Sequence, residues 1–189
     1  VAGAAHLPES VTGRVLDGAL KGRGSTLLRL EGFGPSVAYR FERLAALLAG
    51  YGTHERLEEE QSRRVWREIR DCLPFADGTQ RPVWRVSMAP SDGHRMVMAL
   101  RMGAAVDAFY DWQGGLVWLR MEGDPEADAL RHLIAAHGGG HATLVRAAAS
   151  VRAAVPVFQP QPPALAALSQ RLKDQFDPKG ILNPGRLNA

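Results

Sequence analysis

Apolar residues in the second half of the chain switch between the two-residue period of strands and the 3.6-residue period of helices. Helical spacing predicts one helix from Ser91 or Asp92 to about residue 102, and another with Pro125 at its first position. The alternating stretches predict four strands, at 83–88, 107–112, 116–121 and 141–146. The resulting order, β-α-β-β-α-β, is that of a ferredoxin-like unit.

The first half of the chain repeats part of this pattern. Residues 25–30 form a predicted strand with 14–16 as its predicted partner, and 53–57 form a further short strand. Two helices are predicted, one from Pro35 and one from Glu59. The expected fold class is therefore α+β, an antiparallel sheet backed by helices, with a ferredoxin-like unit and a partial copy of it.

Turn-forming residues at 74–82 suggest an internal boundary. We expect a first region at 1–80, a ferredoxin-like half at 81–146, and a C-terminal helix and tail at 147–189. The helix of the last region is predicted at 163–176, where leucines recur on one stripe.

Composition narrows the class of protein. The chain has 189 residues, of which 46% are hydrophobic and 23% charged, and its formal net charge is +3. These values are typical of a globular protein and do not call for a nucleic-acid partner. No apolar stretch is long enough to span a bilayer. The single Cys72, which we expect to pack as a small hydrophobe, excludes an internal disulfide framework and is typical of a reducing compartment.

Two features that could signal a cofactor are weak. His132 and His137 are five residues apart and cannot share a helix face, so with His141 they do not predict a metal site. The glycine run 138–140 follows a predicted helix and precedes a predicted strand. Phosphate-binding loops have the opposite order, so we interpret this run as a helix end and a turn.

Three segments do resemble a known family. They are residues 176–187 (FDPKGILNPGRL), 139–146 (GGHATLVR) and 82–87 (PVWRVS). They resemble the C-terminal, cap-domain half of FAD-dependent oxidases of the vanillyl-alcohol oxidase / p-cresol methylhydroxylase superfamily, and within it the FAD-binding subunits of bacterial glycolate oxidases. In that family an N-terminal domain with a glycine-rich loop binds most of the FAD. The present chain lacks such a loop and begins with Val1, so we expect a piece of a longer protein that is inactive alone.

The resemblance also assigns roles to four residues. Asn183 and Gly185 would lie near the flavin, where Pro184 biases Asn183 toward extended geometry and Gly185 permits close approach. Arg85 would bind the carboxylate of a small 2-hydroxy acid, and His141 its hydroxyl. A surface or interface role remains open for Arg85, as does that of an exposed strand-end residue for His141.

The resemblance further implies partners and a location. They are a second flavoprotein subunit and an iron–sulfur subunit, in a cytoplasmic complex that could attach peripherally to the inner membrane. Two alternatives stay open: a non-catalytic assembly subunit, and a ferredoxin-like regulatory or binding module. An RNA-binding module is disfavoured, because the adjacent Phe109 and Tyr110 would point to opposite faces of their strand.

Overall fold

The computed structural model describes residues 1–182. Asn183 and Gly185, the two residues predicted to contact the flavin, lie outside this described part. The described residues form six strands: β1 (Gly3–Leu7), β2 (Ser25–Arg29), β3 (Val83–Met88), β4 (Val106–Asp111), β5 (Leu116–Met121) and β6 (Gly140–Arg146). The helices of the described residues are α1 (Glu9–Thr12), α2 (Gly34–Leu48), α3 (Glu59–Arg70), α4 (Gly93–Leu100), α5 (Ala127–Ala136), α6 (Ala149–Ala154) and α7 (Pro163–Phe176).

The strands form one antiparallel sheet in the order β2-β1-β4-β5-β3-β6. Its β4-β5-β3-β6 portion, with α4 and α5 as the connecting helices, is the predicted ferredoxin-like unit, and the predicted α+β class is confirmed. The first half adds β1 and β2 at one end of the sheet. No helix among residues 1–182 combines the length and apolar character needed to cross a membrane.

Two apolar cores lie on opposite faces of the sheet. On one face, β3 directs Trp84 and Val86 toward α4 and α5, which contribute Met96 and Leu130. On the other, α3 and the N-terminal segment cover the β1–β4–β5 region. There the Cys72 side chain packs against the core, as predicted, and burial raises the pKa of its thiol to about 12.

Two predicted strands of the first half were wrong. The partner of β2 is β1, and residues 14–16 instead enter a turn beside α3. Val15 and Leu16 are buried there, and the Leu16 N–H donates to Glu68 Oε2 at 2.7 Å. The segment 53–57 has strand-like residues but forms no strand, because no neighbouring strand pairs with it in the described structure.

The predicted start of α5 was also wrong. The helix begins at Ala127, so Pro125 precedes it instead of occupying its first position. Glu126 has a left-handed backbone, with φ of 52°, and the Pro125 carbonyl accepts a hydrogen bond from the Trp84 indole at 2.8 Å. This bond anchors the start of α5 to the core strand β3.

A bulge overturns one predicted orientation. Alternation predicts Arg146 on the same face as Ala142 and Leu144. In the structure Val83 pairs with Arg146 and Trp84 with Leu144, so Val145 is an extra residue. Arg146 is therefore on the opposite face, where it pairs with Asp77 at 3.1 Å.

Candidate functional site

Arg85 and His141 lie on one face of the sheet, opposite the helices α4 and α5. In the register of β3 and β6, Arg85 is paired with Thr143, and Ser87 with His141. Arg85 and His141 are thus diagonal neighbours, for which a Cα separation of about 7–8 Å is typical. His141 is exposed, while Arg85, Ser87 and Thr143 are half-buried. The two residues predicted to bind substrate are brought together on an accessible surface.

The burial of the opposite face explains this orientation. Trp84, Val86 and Met88 are buried against the helices, so alternation along β3 directs Arg85 and Ser87 the other way. Gly140 allows β6 to approach β3 closely, because a Cβ added to Gly140 would lie 2.5 Å from the Ser87 carbonyl oxygen. The Gly140 backbone also has a φ of 153°, which is unfavourable for residues other than glycine. The sequence around His141 therefore folds so that the histidine stands beside Ser87.

The same face extends across the neighbouring strands as two rows of side chains. Register pairs align Asp111 with Leu116, Leu116 with Ser87, and Ser87 with His141. The second row runs parallel to the first and contains Phe109, Trp118, Arg85 and Thr143. Sequence analysis assigned no role to Asp111 or Trp118, because only the pairing of four strands brings them to this face.

Arg85 stacks on Trp112. Its guanidinium carbon is 4.9 Å from the centre of the indole ring, within the range of a cation–π interaction. The Trp112 side chain is 56% exposed, and the described residues offer Arg85 no carboxylate partner. The guanidinium thus keeps its hydrogen-bond donors available for a ligand.

Trp112 is held in place at a tight corner between β4 and β5. Its backbone N–H donates to Asp111 Oδ1 at 2.7 Å, and its φ is 51°. Gly114 completes the corner, with a φ of 97° and no room for a Cβ, which would lie 2.8 Å from the Pro90 carbonyl oxygen. Burial raises the pKa of Asp111, and its bond with the Trp112 N–H acts in the opposite direction.

Trp118 adds an unused hydrogen-bond donor beside Arg85. Its side chain is buried, and its indole Nε1 has no partner within the part of the chain that the structure describes. Buried polar groups are usually satisfied, so an unpaired indole N–H suggests a missing neighbour. The Arg85 guanidinium fits the binding of an anionic group, whereas the Trp118 Nε1 is buried within the core and does not reach the accessible face.

The glycine run and the histidines provide no cofactor cradle. Gly139 donates its N–H to the Ile134 carbonyl at 2.9 Å and Gly138 has a left-handed backbone, so the run ends α5 as predicted. A phosphate would meet the C-terminal end of this helix, where the dipole is unfavourable. Within residues 1–182, no cluster of three or more His, Cys, Asp or Glu side chains could hold a metal ion.

The start of the C-terminal tail is fixed by Asp177, a residue to which sequence analysis gave no role. Its buried carboxylate accepts the N–H groups of Ile181 at 3.0 Å and Leu182 at 2.8 Å. Gly180 has a left-handed backbone, with φ of 62°, as predicted for the end of α7. The chain therefore leaves α7 in a defined direction just before Asn183.

The segment that leads to α7 lies along the edge of β6. The Val157 carbonyl accepts the Leu144 N–H at 2.8 Å, and Gln159 Oε1 accepts the Ala142 N–H at 3.3 Å. Helix α7 has its predicted boundaries, but its apolar stripe is exposed, at Leu165, Leu168, Leu172 and Phe176.

Comparison with known proteins agrees with the resemblance seen in the sequence. Residues 159–187 match the model of the family "FAD linked oxidases, C-terminal domain". The glycolate oxidase subunit GlcE of Escherichia coli strain K12 is 36% identical over 165 residues, which cover 86% of this chain. The chain spans only 38% of the length of that relative. No solved structure matches significantly. Residues 159–187 thus match the C-terminal domain family of the FAD linked oxidases, and most of the chain is similar to part of a glycolate oxidase subunit.

Proposed function

We propose that the chain is the substrate-binding cap of an FAD-dependent oxidoreductase that converts glycolate, or a close 2-hydroxy acid, to the 2-oxo acid. The observation that carries the proposal is the Arg85 guanidinium, which has no carboxylate partner among the described residues and lies beside His141 on an accessible sheet face. The match to the FAD linked oxidases and the similarity to a glycolate oxidase subunit support it.

Arg85 binds the substrate carboxylate in this proposal. A guanidinium can donate two parallel hydrogen bonds to a carboxylate, which fixes both the position and the plane of a small acid. Trp112 restricts the side chain by stacking, and Asp111 holds Trp112 through its backbone N–H. The cation is therefore oriented before the substrate arrives.

His141 accepts the proton of the substrate hydroxyl. A neutral imidazole nitrogen is a suitable base near neutral pH, and the diagonal spacing lets both His141 and the long Arg85 side chain contact one small acid. As the C–H bond breaks, its hydride leaves the carbon and the hydroxyl proton passes to the imidazole, which gives the 2-oxo acid.

FAD, when bound, supplies the acceptor for that hydride. The Arg85 guanidinium, which has no carboxylate partner among the described residues, fits the substrate side of such a site, while the glycine run 138–140 ends α5 and presents no helix N-terminus to a pyrophosphate. Asn183 and Gly185 are the residues of this chain proposed to contact the flavin ring. The rest of the FAD would be held by another part of the full-length protein.

The proposal extends to an assembly, because the relative is described as a subunit. Electrons would pass to an iron–sulfur subunit and a second flavoprotein subunit would share the complex. Such a complex would be cytoplasmic, or peripheral to the inner membrane. A second candidate, a non-catalytic assembly role, is favoured by the exposed apolar stripe of α7.

The test is Arg85→Lys in the full-length protein within its complex. Loss of the bidentate geometry should lower kcat/KM for glycolate by about 1–3 kcal/mol, the range for a charged hydrogen bond. Arg95→Lys is the matched control, because Arg95 is an exposed arginine on α4, on the opposite side of the sheet. Unchanged kinetics in an intact complex would remove Arg85 from the site and favour the assembly role.

A further inference from the structure

A groove far from Arg85 separates the edge strand β2 from helix α2. Its volume is about 690 Å³. One wall consists of the consecutive residues 24–28, and another of 51–55. Side chains of a strand alternate between two faces, so a wall made of consecutive residues is the edge of the strand rather than a face. The groove is therefore bounded by the backbone of β2.

The edge of β2 has unused hydrogen-bonding capacity. Within the described residues β2 pairs only with β1, and it is the last strand of the sheet. An edge strand directs a row of N–H and C=O groups outward, which is a template for another extended chain. The five residues of β2 offer an edge of about 17 Å at the usual rise per residue.

The opposite side of the groove is apolar and poorly covered. Phe41, Leu44 and Leu48 of α2 line it, yet α2 has no fully buried residue. Most helical stability in proteins comes from packing an apolar stripe, so this stripe lacks the neighbour that would bury it.

The charges of the groove restrict what can enter. The only lysine, arginine or carboxylate side chains lining it among the described residues are Arg23 and Glu55, which pair with each other at 3.1 Å. Because these two charges already compensate each other, a net charge on an occupant would gain no favourable electrostatic interaction in the groove. A nucleic acid or an acidic peptide is thereby disfavoured.

A second copy of this chain is also a poor occupant. Residues 51–55 and α2 line the groove together with β2, so a second copy would bring its own α2 and its own residues 51–55 to the same edge. A single extended segment brings neither of these.

We propose that this groove receives an extended, uncharged segment of a partner polypeptide, which adds a strand to the free edge of β2. Its backbone pairs with residues 24–28, and every second side chain packs on Phe41, Leu44 and Leu48. Backbone pairing provides the affinity, and the apolar wall of α2 selects the side chains.

The first test uses the full-length protein and a seven-residue peptide of alternating Thr and Val with blocked ends. Amide hydrogen exchange of residues 24–28 should slow by at least about tenfold when the peptide saturates the groove. The same peptide with alternate amides N-methylated keeps its side chains but loses one hydrogen-bonding edge, and it should give no protection. Equal protection by both peptides would overturn strand addition.

Two variants identify the wall. Leu44→Glu places a charge in the groove and should abolish the protection. Leu47→Glu, on the same helix but 73% exposed and outside the lining, should leave it unchanged. Equal effects of the two variants would overturn the assignment.

A second test places a photo-crosslinking residue at position 44 or 47 of the assembled complex. The residue at position 44 should form a crosslink to an uncharged segment of a partner chain. The residue at position 47, tested in the same way, should form none. Crosslinks from position 44 to a second copy of this chain, or the absence of crosslinks and of peptide protection, would contradict the proposal.

Discussion

The guanidinium of Arg85 lies over the indole ring of Trp112, 4.9 Å from the ring centre, although the two residues are in separate strands and turns. Stacking of this kind stabilises a cation by about 0.5–2 kcal/mol, depending on how far it is desolvated. No hydrogen bond from the guanidinium to another described residue accompanies this contact. Trp112 therefore orients Arg85 without consuming its hydrogen bonds.

We expect Trp112→Ala to weaken substrate binding more than it slows the chemical step. KM for glycolate should rise, with a loss of about 0.5–2 kcal/mol in kcat/KM, because Arg85 loses its orienting ring. Trp112→Phe should recover part of this loss. Steady-state kinetics of the full-length complex measure KM and kcat/KM for each variant. Phe33→Ala is the control, because Phe33 is an exposed aromatic residue outside the site. An unchanged KM would separate Trp112 from substrate binding.

Alternation was sufficient to orient Arg85 and His141, because Trp84, Val86 and Ala142 are all apolar and belong to a buried face. The orientation that alternation predicts for Arg146 was wrong, because a bulge depends on how β6 pairs with β3 and cannot be read from the local hydrophobic pattern. The segment 53–57 shows the same limit. Its residues suit a strand, but a strand also requires a partner, which the described sheet does not supply.

The candidate site was predictable only in part for the same reason. Arg85 and His141 belong to short motifs, whereas Asp111 and Trp118 reach the site through pairing among four strands. Asp177 holds the tail through backbone N–H groups, a contact that residue type alone does not reveal. Asn183 and Gly185 lie outside the described residues, so their roles stay predictions.

A buried charge network gives a prediction on stability. Arg120 is only 6% exposed and bonds Asp77 at 2.6 Å and Asp107 at 2.8 Å. Arg120→Ala should lower the free energy of unfolding by about 1.5–3 kcal/mol, because it removes charged hydrogen bonds of a buried side chain. Asp107 keeps its pair with Arg14, and Asp77 keeps its pair with Arg146. Arg63→Ala removes only an exposed ion pair with Glu59 and should cost at most about 1 kcal/mol. Denaturant titration measures both, and equal losses would contradict a structural role for the network.

The ionisation of Asp77 determines in part how the free energy of unfolding depends on pH in acid. Burial opposes its ionisation, but hydrogen bonds from Thr79 and Arg120 outweigh that effect and hold its pKa below the ordinary value. A carboxylate with a lowered folded pKa stabilises the fold above its unfolded pKa, near 3.9, and loses that contribution as the pH falls further. Asp77→Asn should therefore flatten the dependence of unfolding free energy on pH below about 4. An equally steep dependence in the variant would assign the acid sensitivity to other groups.

Cys72 should react slowly in the folded protein. Burial raises the pKa of its thiol to about 12, so at pH 8 very little of the reactive thiolate is present. Labelling with iodoacetamide should be at least about 100-fold slower than in the urea-unfolded chain, whose thiol has a pKa near 8.5. Because the folded thiol stays protonated, this group's contribution to stability is present below its unfolded pKa and decreases as the pH rises toward 12. Rapid stoichiometric labelling of the native chain would contradict a structural role.

The last prediction concerns FAD itself. The glycine run 138–140 closes α5 at its C-terminal end and therefore presents no helix N-terminus to a pyrophosphate. The 189-residue chain, mixed with excess FAD and desalted, should emerge without flavin absorbance, whereas the full-length protein should retain it. Asn183→Ala in the full-length protein should then alter the flavin absorbance or its midpoint potential, because an amide donor near the ring stabilises particular charge states of the flavin. Asn188→Ala, which changes an amide outside the 159–187 family match, is the control. Stoichiometric yellow flavin on the 189-residue chain would contradict the first expectation, and identical flavin spectra and potentials for both variants would remove Asn183 from the flavin site.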